Sequence, residues 1–268
     1  MIPLIANSRR LAPAFFLAWA LLALAACATR PPASDAEALA EYHAANDPLE
    51  PANRHVYEAN EWLDRKLARP VAVEYRTRIP RPVRTGIRNL LNNLRSPIIL
   101  ANDMLQGQSR RAGDTLGRFV LNSTVGVAGI FDVAEDWFGV PRHTEDFGQT
   151  LASWGVGEGP YLVLPVLGPS NPRDLAGSGV DGAAGVATFL GSGAAVDAFR
   201  ITRGGLSLVD TREALIDPID DMRRSSLDPY VTYRSAYRQR RQADIENRLG
   251  PPVTSSTGAI LPAPLERK

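Results

Sequence analysis

The sequence predicts an all-α fold. Apolar residues recur at helical spacing in several stretches, and Asp-Pro pairs stand where helices would begin, with Asp as cap and Pro in the first turn. The 22 glycines and 21 prolines among 268 residues are generous for a helical protein, so the expected helices are short and bent.

The chain opens with Arg9 and Arg10, an apolar stretch from Ala14 to Leu24, and then Leu24-Ala25-Ala26-Cys27, which holds the single cysteine. A charged start, an apolar run and small residues before a cut form a secretory signal. Cysteine at the cut makes it a bacterial lipobox, with Cys27 expected to receive diacylglycerol and become the acylated mature N-terminus. The alternative is an ordinary signal with a chance cysteine. Acyl chains gain about 0.8 kcal/mol per buried CH₂, so several chains anchor a protein durably at a membrane surface. Ser8-Arg9-Arg10 is a partial twin-arginine match followed by Pro13, which favours the general export route.

Residues 1–26 carry Arg9, Arg10 and no other charge, so their removal moves the formal net charge from +1 to −1. A near-neutral chain lacks the basic excess of a nucleic-acid binder. With Cys27 acylated, no thiol remains for a disulfide, a metal or nucleophilic catalysis. His43, His55 and His143 are too scattered for a His-x-x-x-His metal pair, so no metal site and no cofactor is expected. The most apolar later stretch, Val180 to Phe199, is bracketed by Asp181 and Asp197 and is too short to span a bilayer. It fits either a buried helix or a segment lying part-way into lipid.

Residues 27–46 read as a tether, rich in Ala and Pro with little periodicity. Asp47-Pro48-Leu49-Glu50 then opens a helix, with its start moved on a residue or two by Pro51. Val56, Ala59, Leu63 and Leu67 continue it until Pro70, which should stop it. Val83, Ile87, Leu90, Leu91 and Leu94 line one face of a second helix whose other face carries Arg84, Arg88, Asn92 and Arg95. Pro97 breaks that helix, another runs from Ile98 to Leu105, and Ala112, Leu116, Phe119 and Val120 mark a further one. Val125 to Val133 is apolar but too irregular to type.

From Phe147 to Asp174, spaced glycines and prolines surround Tyr161-Leu162-Val163-Leu164, predicting a structured loop or irregular hairpin. A loop this apolar must pack on something, either protein or lipid. Gly155, Gly157 and Gly159 form a permissive backbone before Pro160 and serve as a candidate hinge. They are not a phosphate loop, since no Gly-Lys-Ser/Thr follows. A last helix starts at Asp228-Pro229, with Tyr230, Tyr233 and Tyr237 on one face and Arg234, Arg238, Arg240 and Arg241 nearby. It either meets anionic lipid headgroups through those arginines or docks its tyrosines into the core. Residues 251–268 read as a disordered tail, leaving 47–250 as the domain.

No catalytic site stands out. Ser178 and Ser192 do not complete a Gly-x-Ser-x-Gly elbow. His143 with Glu145 and Asp146 is the one cluster of a base and carboxylates, read more plainly as a charged loop. Asp220-Asp221 reads as a solvated pair, because adjacent helical residues diverge by about 100°.

Several of these motifs together resemble the MlaA (VacJ) lipoproteins. They include Asp47-Pro48-Leu49-Glu50 with Asn53-Arg54, Arg69-Pro70-Val71-Ala72, Asn93-Leu94 with Pro97, and Leu105-Gln106-Gly107. Arg118-Phe119, Leu121-Asn122, Thr124-Val125-Gly126 and Phe147-Gly148-Gln149-Thr150-Leu151 follow. The longest is Gly155-Val156-Gly157-Glu158-Gly159-Pro160-Tyr161, continued by Leu164-Pro165, Gly168-Pro169, Arg173-Asp174 and Asp228-Pro229-Tyr230. The resemblance runs from about Asp47 to Asn247. It implies a flattened ring of short amphipathic helices in the inner leaflet of a Gram-negative outer membrane. A central channel would pass misplaced outer-leaflet phospholipids to a periplasmic lipid carrier, beside a trimeric porin, with no enzymatic step. Gly155, Gly157 and Gly159 would lie at the base of a hairpin bordering the channel. A structural porin-associated lipoprotein with only indirect effects on lipids is the alternative, and a hydrolase using His143 is a third.

Overall fold

The computed structural model describes residues 31, 34–185, 191 and 193–247. The lipobox with Cys27, part of the 180–199 stretch and the tail lie outside the described residues. The chain divides into two compact units, one within Met1–Asn60 and Gly159–Pro172, the other within Glu61–Glu158 and Arg173–Lys268.

In the smaller unit, helix α1 (Ala36–Ala45) is capped by Asp35, whose carboxylate accepts from Ala38 N–H at 2.9 Å. A helix thus stands inside the stretch expected to be a plain tether. The expectation rested on missing apolar periodicity, and α1 buries no residue, so there was no apolar stripe to find. Helix α2 (Glu50–Leu63) begins just after the Asp-Pro signal. The expected hairpin is present as strands β1 (Leu162–Leu164) and β2 (Gly168–Ser170), antiparallel with Val163 opposite Pro169.

Two asparagines seven residues apart on α2 hold that hairpin. Asn53 donates to Asp47 at 2.7 Å and to the Tyr161 carbonyl at 3.0 Å, and accepts from Val163 N–H at 2.9 Å. Asn60 donates to the Leu164 carbonyl at 2.9 Å and accepts from Val166 N–H at 2.8 Å. A side-chain amide carries the donor–acceptor pair of a peptide group, so each Asn completes an edge that a third strand would otherwise pair. Tyr161 and Val163 are buried, while Val166 and Leu167 at the turn are exposed.

Pro70 does not stop the chain's helical course. A π-helical turn (Asp64–Ala68) leads into α3 (Arg69–Arg78), with Pro70 in the first turn. Arg69 N–H reaches back to the Asp64 carbonyl, and this wider turn accommodates the missing proline donor that would break a regular helix.

Helices α4 (Arg81–Asn93), α5 (Ser96–Leu105) and α6 (Ser109–Thr124) follow, the first two with proline at their starts. The untyped stretch from Val125 is a series of turns before α7 (Val133–Phe138). Part of the expected irregular segment is helical, as α8 (Phe147–Ser153), capped by Asp146. Helices α9 (Pro172–Ala184), α10 (Ala194–Ala214), α11 (Ile216–Ser225) and α12 (Pro229–Ile245) complete the chain. In the larger unit α3 and α4 pack on α10, α5 on α6 and α8, and α8 on α12. Where α9 passes α8, a Cβ on Gly177 would lie 2.3 Å from the Gly148 nitrogen, so only glycine permits the approach. The fold is mostly helical with one small two-stranded sheet among the described residues, as the sequence predicts. No described helix is long and apolar enough to cross a membrane.

Candidate functional site

The helices turn their polar faces inward. On α6, Ala112, Thr115, Arg118 and Asn122 are buried at helical spacing, while Leu116 and Val120 are about half exposed. On α4, Arg84 and Arg88 face partners while Val83 is exposed. On α10, Asp210 and Glu213 are buried while Ile201 and Leu208 are exposed. Among the described residues buried polar side chains outnumber buried apolar ones, the reverse of a water-soluble domain.

Charge burial on this scale requires pairing, because an isolated buried ion loses far more hydration than it regains. Arg88 of α4 forms a two-pronged contact with Asp210 at 2.9 and 3.1 Å and reaches Glu213 at 2.8 Å. Arg76 of α3 joins the same Glu213 at 3.0 Å, and Arg84 also contacts it. Arg223 ties α11 to Glu61 at 2.8 Å and Asp64 at 2.7 Å, and Arg212 binds Asp64 at 2.5 Å. Asp220, expected to be solvated, instead holds Arg69 at 2.6 Å; Asp221 is the exposed member of that pair.

The densest part of this interior surrounds a cavity of about 30 Å³, lined chiefly by asparagines and arginines of α4, α6 and the segment after α7. A space of that size holds about one water. Asp132 receives Arg118 through both oxygens at 2.6 and 2.7 Å, Arg142 at 2.7 Å and Asn122 at 2.9 Å. Burial pushes the Asp132 carboxyl up, but the hydrogen bonds from Arg142, Asn122 and Arg118 outweigh it and hold its pKa at about 2.

Next to this cluster the fully buried Asp103 binds Thr115 at 2.6 Å and His143 at 3.1 Å. Glu145, also fully buried, takes Arg111 at 2.7 Å and Gln106 at 2.9 Å. Burial raises its pKa against those donors. His143, Glu145 and Asp146, expected as a charged loop, instead hold interior partners: His143 meets Asp103, Glu145 meets Arg111 and Gln106, and Asp146 takes Arg241 at 2.6 Å. Thr115 and Asp103 both meet the same His143 nitrogen, Nε2. A histidine that activates a hydroxyl needs its orienting carboxylate on the other nitrogen, and this geometry does not supply that relay.

Outside this polar interior lies an apolar surface. Val125, Val127, Ile130 and Phe131 on the turns after α6, with Trp137 and Phe138 on α7, are all exposed, Trp137 by 69%. Val127 and Ala128 take left-handed backbone conformations at φ 51 and 57° that cost a Cβ-bearing residue energy. Asn93 and Asn89 hold these turns by donating to the Ala128 and Ile130 carbonyls, each at 3.2 Å. Trp62, Trp137 and Trp154, every described tryptophan, are more than half exposed. A surface so rich in large apolar side chains marks a contact with protein or membrane.

Gly155 and Gly159 of the candidate hinge have φ +86 and +71°, which glycine alone adopts freely; a Cβ on Gly155 or Gly157 would meet nothing within 4 Å. Tyr230 is buried, and Tyr237 donates to Asp174 at 2.8 Å, so α12 docks its tyrosine face. Arg234 lies over the Tyr230 ring at 5.6 Å, and Arg238 pairs with Glu158 at 2.9 Å. Arg118, Asp132, Arg142, Asp103, Asn53 and Asn60 were not singled out in the sequence as functional. The signal was present in α6, where Ala112, Thr115, Arg118 and Asn122 recur at helical spacing beside the apolar series.

Residues 45–244 match a protein-family profile described as MlaA lipoprotein. The chain is 38% identical over 198 residues to the intermembrane phospholipid transport system lipoprotein MlaA of Escherichia coli (strain K12), covering 73% of this chain and 76% of that one. The protein of the same description from Haemophilus influenzae is 30% identical over 204 residues, 75% of this chain and 80% of that one. A solved structure described as "Structural basis for maintenance of bacterial outer membrane lipid asymmetry" matches with TM-score 0.65 and 35% identity, covering 74% of this chain and 98% of that one.

Proposed function

Since the chain belongs to the MlaA lipoprotein family, we propose that it is an outer-membrane lipoprotein of a phospholipid transport system that maintains lipid asymmetry. In this reading Cys27 carries the acyl anchor and places the domain on the periplasmic side. Phospholipids misplaced in the outer leaflet pass through a channel in a ring of helices towards a periplasmic carrier protein, beside a trimeric porin. Gly155, Gly157 and Gly159 allow the channel's border to move, and Arg234 and Arg238 meet headgroups. The chain is a transport component and performs no hydrolysis.

The observation that carries the reading is the inverted distribution of polarity. An apolar exterior with exposed tryptophans suits acyl chains and the headgroup boundary, where Trp is enriched. A buried, ion-paired interior offers a phospholipid headgroup a polar surface, and a headgroup dragged through hydrocarbon meets a large barrier. Such a conduit needs no energy source of its own if a downstream carrier removes the lipid.

The test is complementation in the native cell, reading outer-leaflet phospholipid and protein abundance together. Deletion should raise outer-leaflet phospholipid, the wild-type chain should restore it, and Cys27→Ser should fail to. Gly157→Pro, which fixes φ and removes a donor, should alter asymmetry at normal abundance if the segment moves. Unchanged asymmetry on deletion would overturn the function, and unchanged asymmetry in Gly157→Pro at normal abundance would overturn the hinge.

A further inference from the structure

An open groove of about 510 Å³ runs along α12, lined by Glu158, Arg173, Arg238, Arg241, Gln242 and Glu246 among others. Arg173, in the first turn of α9, has a side chain only 6% exposed. Its Nε donates to Asp174 at 3.0 Å and its Nη1 to the Val156 carbonyl at 3.4 Å. Its Nη2 is buried with no hydrogen-bond partner. A buried cationic donor without an acceptor is a standing cost that an oxygen placed beside it removes.

The other two arginines differ in how firmly they are held. Arg241 is largely buried and committed to Asp146 at 2.6 Å and Asp174 at 2.7 Å. Arg238 holds Glu158 at 2.9 Å, with both side chains about one-third exposed. An ion pair that open is weak and exchangeable. Val156 and Glu158 are two residues apart, so Arg173 and Arg238 clip the same short segment at backbone positions no more than about 7 Å apart. That segment begins at Gly155, whose φ is +86°; the Gly155 and Val156 N–H groups donate to the Ala152 and Leu151 carbonyls, each at 2.9 Å, so Gly157 and Glu158 are the part that depends on the side-chain clips.

Resting on the transport reading above, we propose that this groove is a phosphate site. A phosphate oxyanion bound there takes the vacant donor of Arg173 and displaces Glu158 from Arg238, which releases one of the two clips on the 155–158 segment. Arg173, Arg238 and Arg241 line the groove with Glu158 and Glu246, while Asp146 and Asp174 hold Arg241 from behind, so turning Glu158 out removes one of the negative charges set against the three arginines. Glu246 at the rim is exposed and accepts from Gln242 at 2.6 Å. A guanidinium's flat fork suits phosphate oxygens better than a single carboxylate oxygen does.

The test uses the acylated full chain in non-ionic detergent and phosphate-free buffer. It is titrated with dihexanoyl-phosphatidylglycerol and, separately, with inorganic phosphate, reading affinity by calorimetry and segment release by amide hydrogen exchange at residues 155–158. Binding should be accompanied by faster exchange in that segment. Arg238→Gln should weaken binding about tenfold or more, the loss expected for one charged hydrogen bond. Glu158→Gln should tighten binding and speed exchange before any ligand is added, because it removes the competitor. Arg173→Gln should also weaken binding, but it changes a buried side chain, so the variants at the half-buried Arg238 and Glu158 decide. Preference for the lipid probe assigns the site to headgroups, and an equal response assigns it to the oxyanion itself. Absence of binding by both probes, or affinities unmoved in both Arg238→Gln and Glu158→Gln, would overturn the proposal. Such a result would leave the cellular lipid-asymmetry test untouched, so the two readings fail separately.

Discussion

Replacing Asp132 by Asn removes one charge from the most tightly tied point of the interior and changes little else. Asp132 is 7% exposed and is shared by Arg118, Arg142 and Asn122. The fall of its pKa from 3.8 to about 2 on folding corresponds to about 2.5 kcal/mol of differential stabilisation of the charged form. The variant also leaves Arg118, itself 7% exposed, facing a neutral amide, and stranding a buried charge typically costs about 3–5 kcal/mol. Asn retains one acceptor oxygen, so the expected loss lies at the lower end, about 3 kcal/mol. For a domain of this size that is a Tm lower by roughly 6–12 °C. Thermal unfolding of the detergent-solubilised protein, followed by circular dichroism, reads it directly. The control is Asp136→Asn, on the exposed side of α7, expected within about 0.5 kcal/mol of wild type. Equal Tm values for the two variants would refute the claim that paired charges hold the interior together.

The Gly177 crossing is steric: Gly177→Ala places a Cβ 2.3 Å from the Gly148 nitrogen, and should cost at least about 2 kcal/mol by chemical denaturation. Gly179→Ala on the same helix meets nothing within 4 Å and should gain up to about 1 kcal/mol; similar effects for both would contradict the close crossing. Asp132 and Asp146 both have folded pKa values near 2, below 3.8, so the stability they contribute is complete above about pH 4. It should be lost as pH falls through 3.8 towards 2, and a melting temperature unchanged from pH 5 to pH 2 would contradict those depressed values. His143→Ala removes a partner of Asp103 and should lower stability by about 1–2 kcal/mol while leaving lipid asymmetry intact; lost asymmetry at normal abundance would revive a catalytic role.

The helical class and the helices after Asp47, Val83, Ile98, Ala112 and Asp228 were legible because apolar periodicity and proline starts are local signals. Helices α7 to α11 were not read from the sequence, and α10, at 21 residues, is longer than the short helices expected. Val83 to Leu94 and Ile98 to Leu105 reappear almost as read, as Arg81–Asn93 and Ser96–Leu105. Spaced glycines and prolines around Tyr161 to Leu164 excluded a long helix but left a structured loop or an irregular hairpin open, and the structure shows the hairpin. Two local readings failed because a neighbouring turn altered the rule: the π-helical turn at Asp64–Ala68 carries the chain past Pro70, and Asp146 caps a short helix within a stretch expected to be irregular. Which face of each helix points inward was not legible. Periodicity gives a stripe but not its solvent, and Leu116 and Val120 look the same whether they meet a core or lipid. The arginine partners were hidden for a different reason. Arg88 and Glu213 lie 125 residues apart, and nothing local pairs them.

The proposed function requires the apolar exterior to meet acyl chains and the charged interior to stay away from them. Single-tryptophan variants that keep Trp137, Trp62 or Trp154, reconstituted in bilayers with brominated acyl chains, test it by fluorescence quenching. Strong quenching of Trp137 by the brominated lipid and weak quenching by aqueous acrylamide are expected. A tryptophan introduced in place of Phe119, on the partly buried side of α6, should show less lipid quenching than Trp137. Strong acrylamide quenching of Trp137 with no effect of brominated chains would place that surface in water and contradict the account.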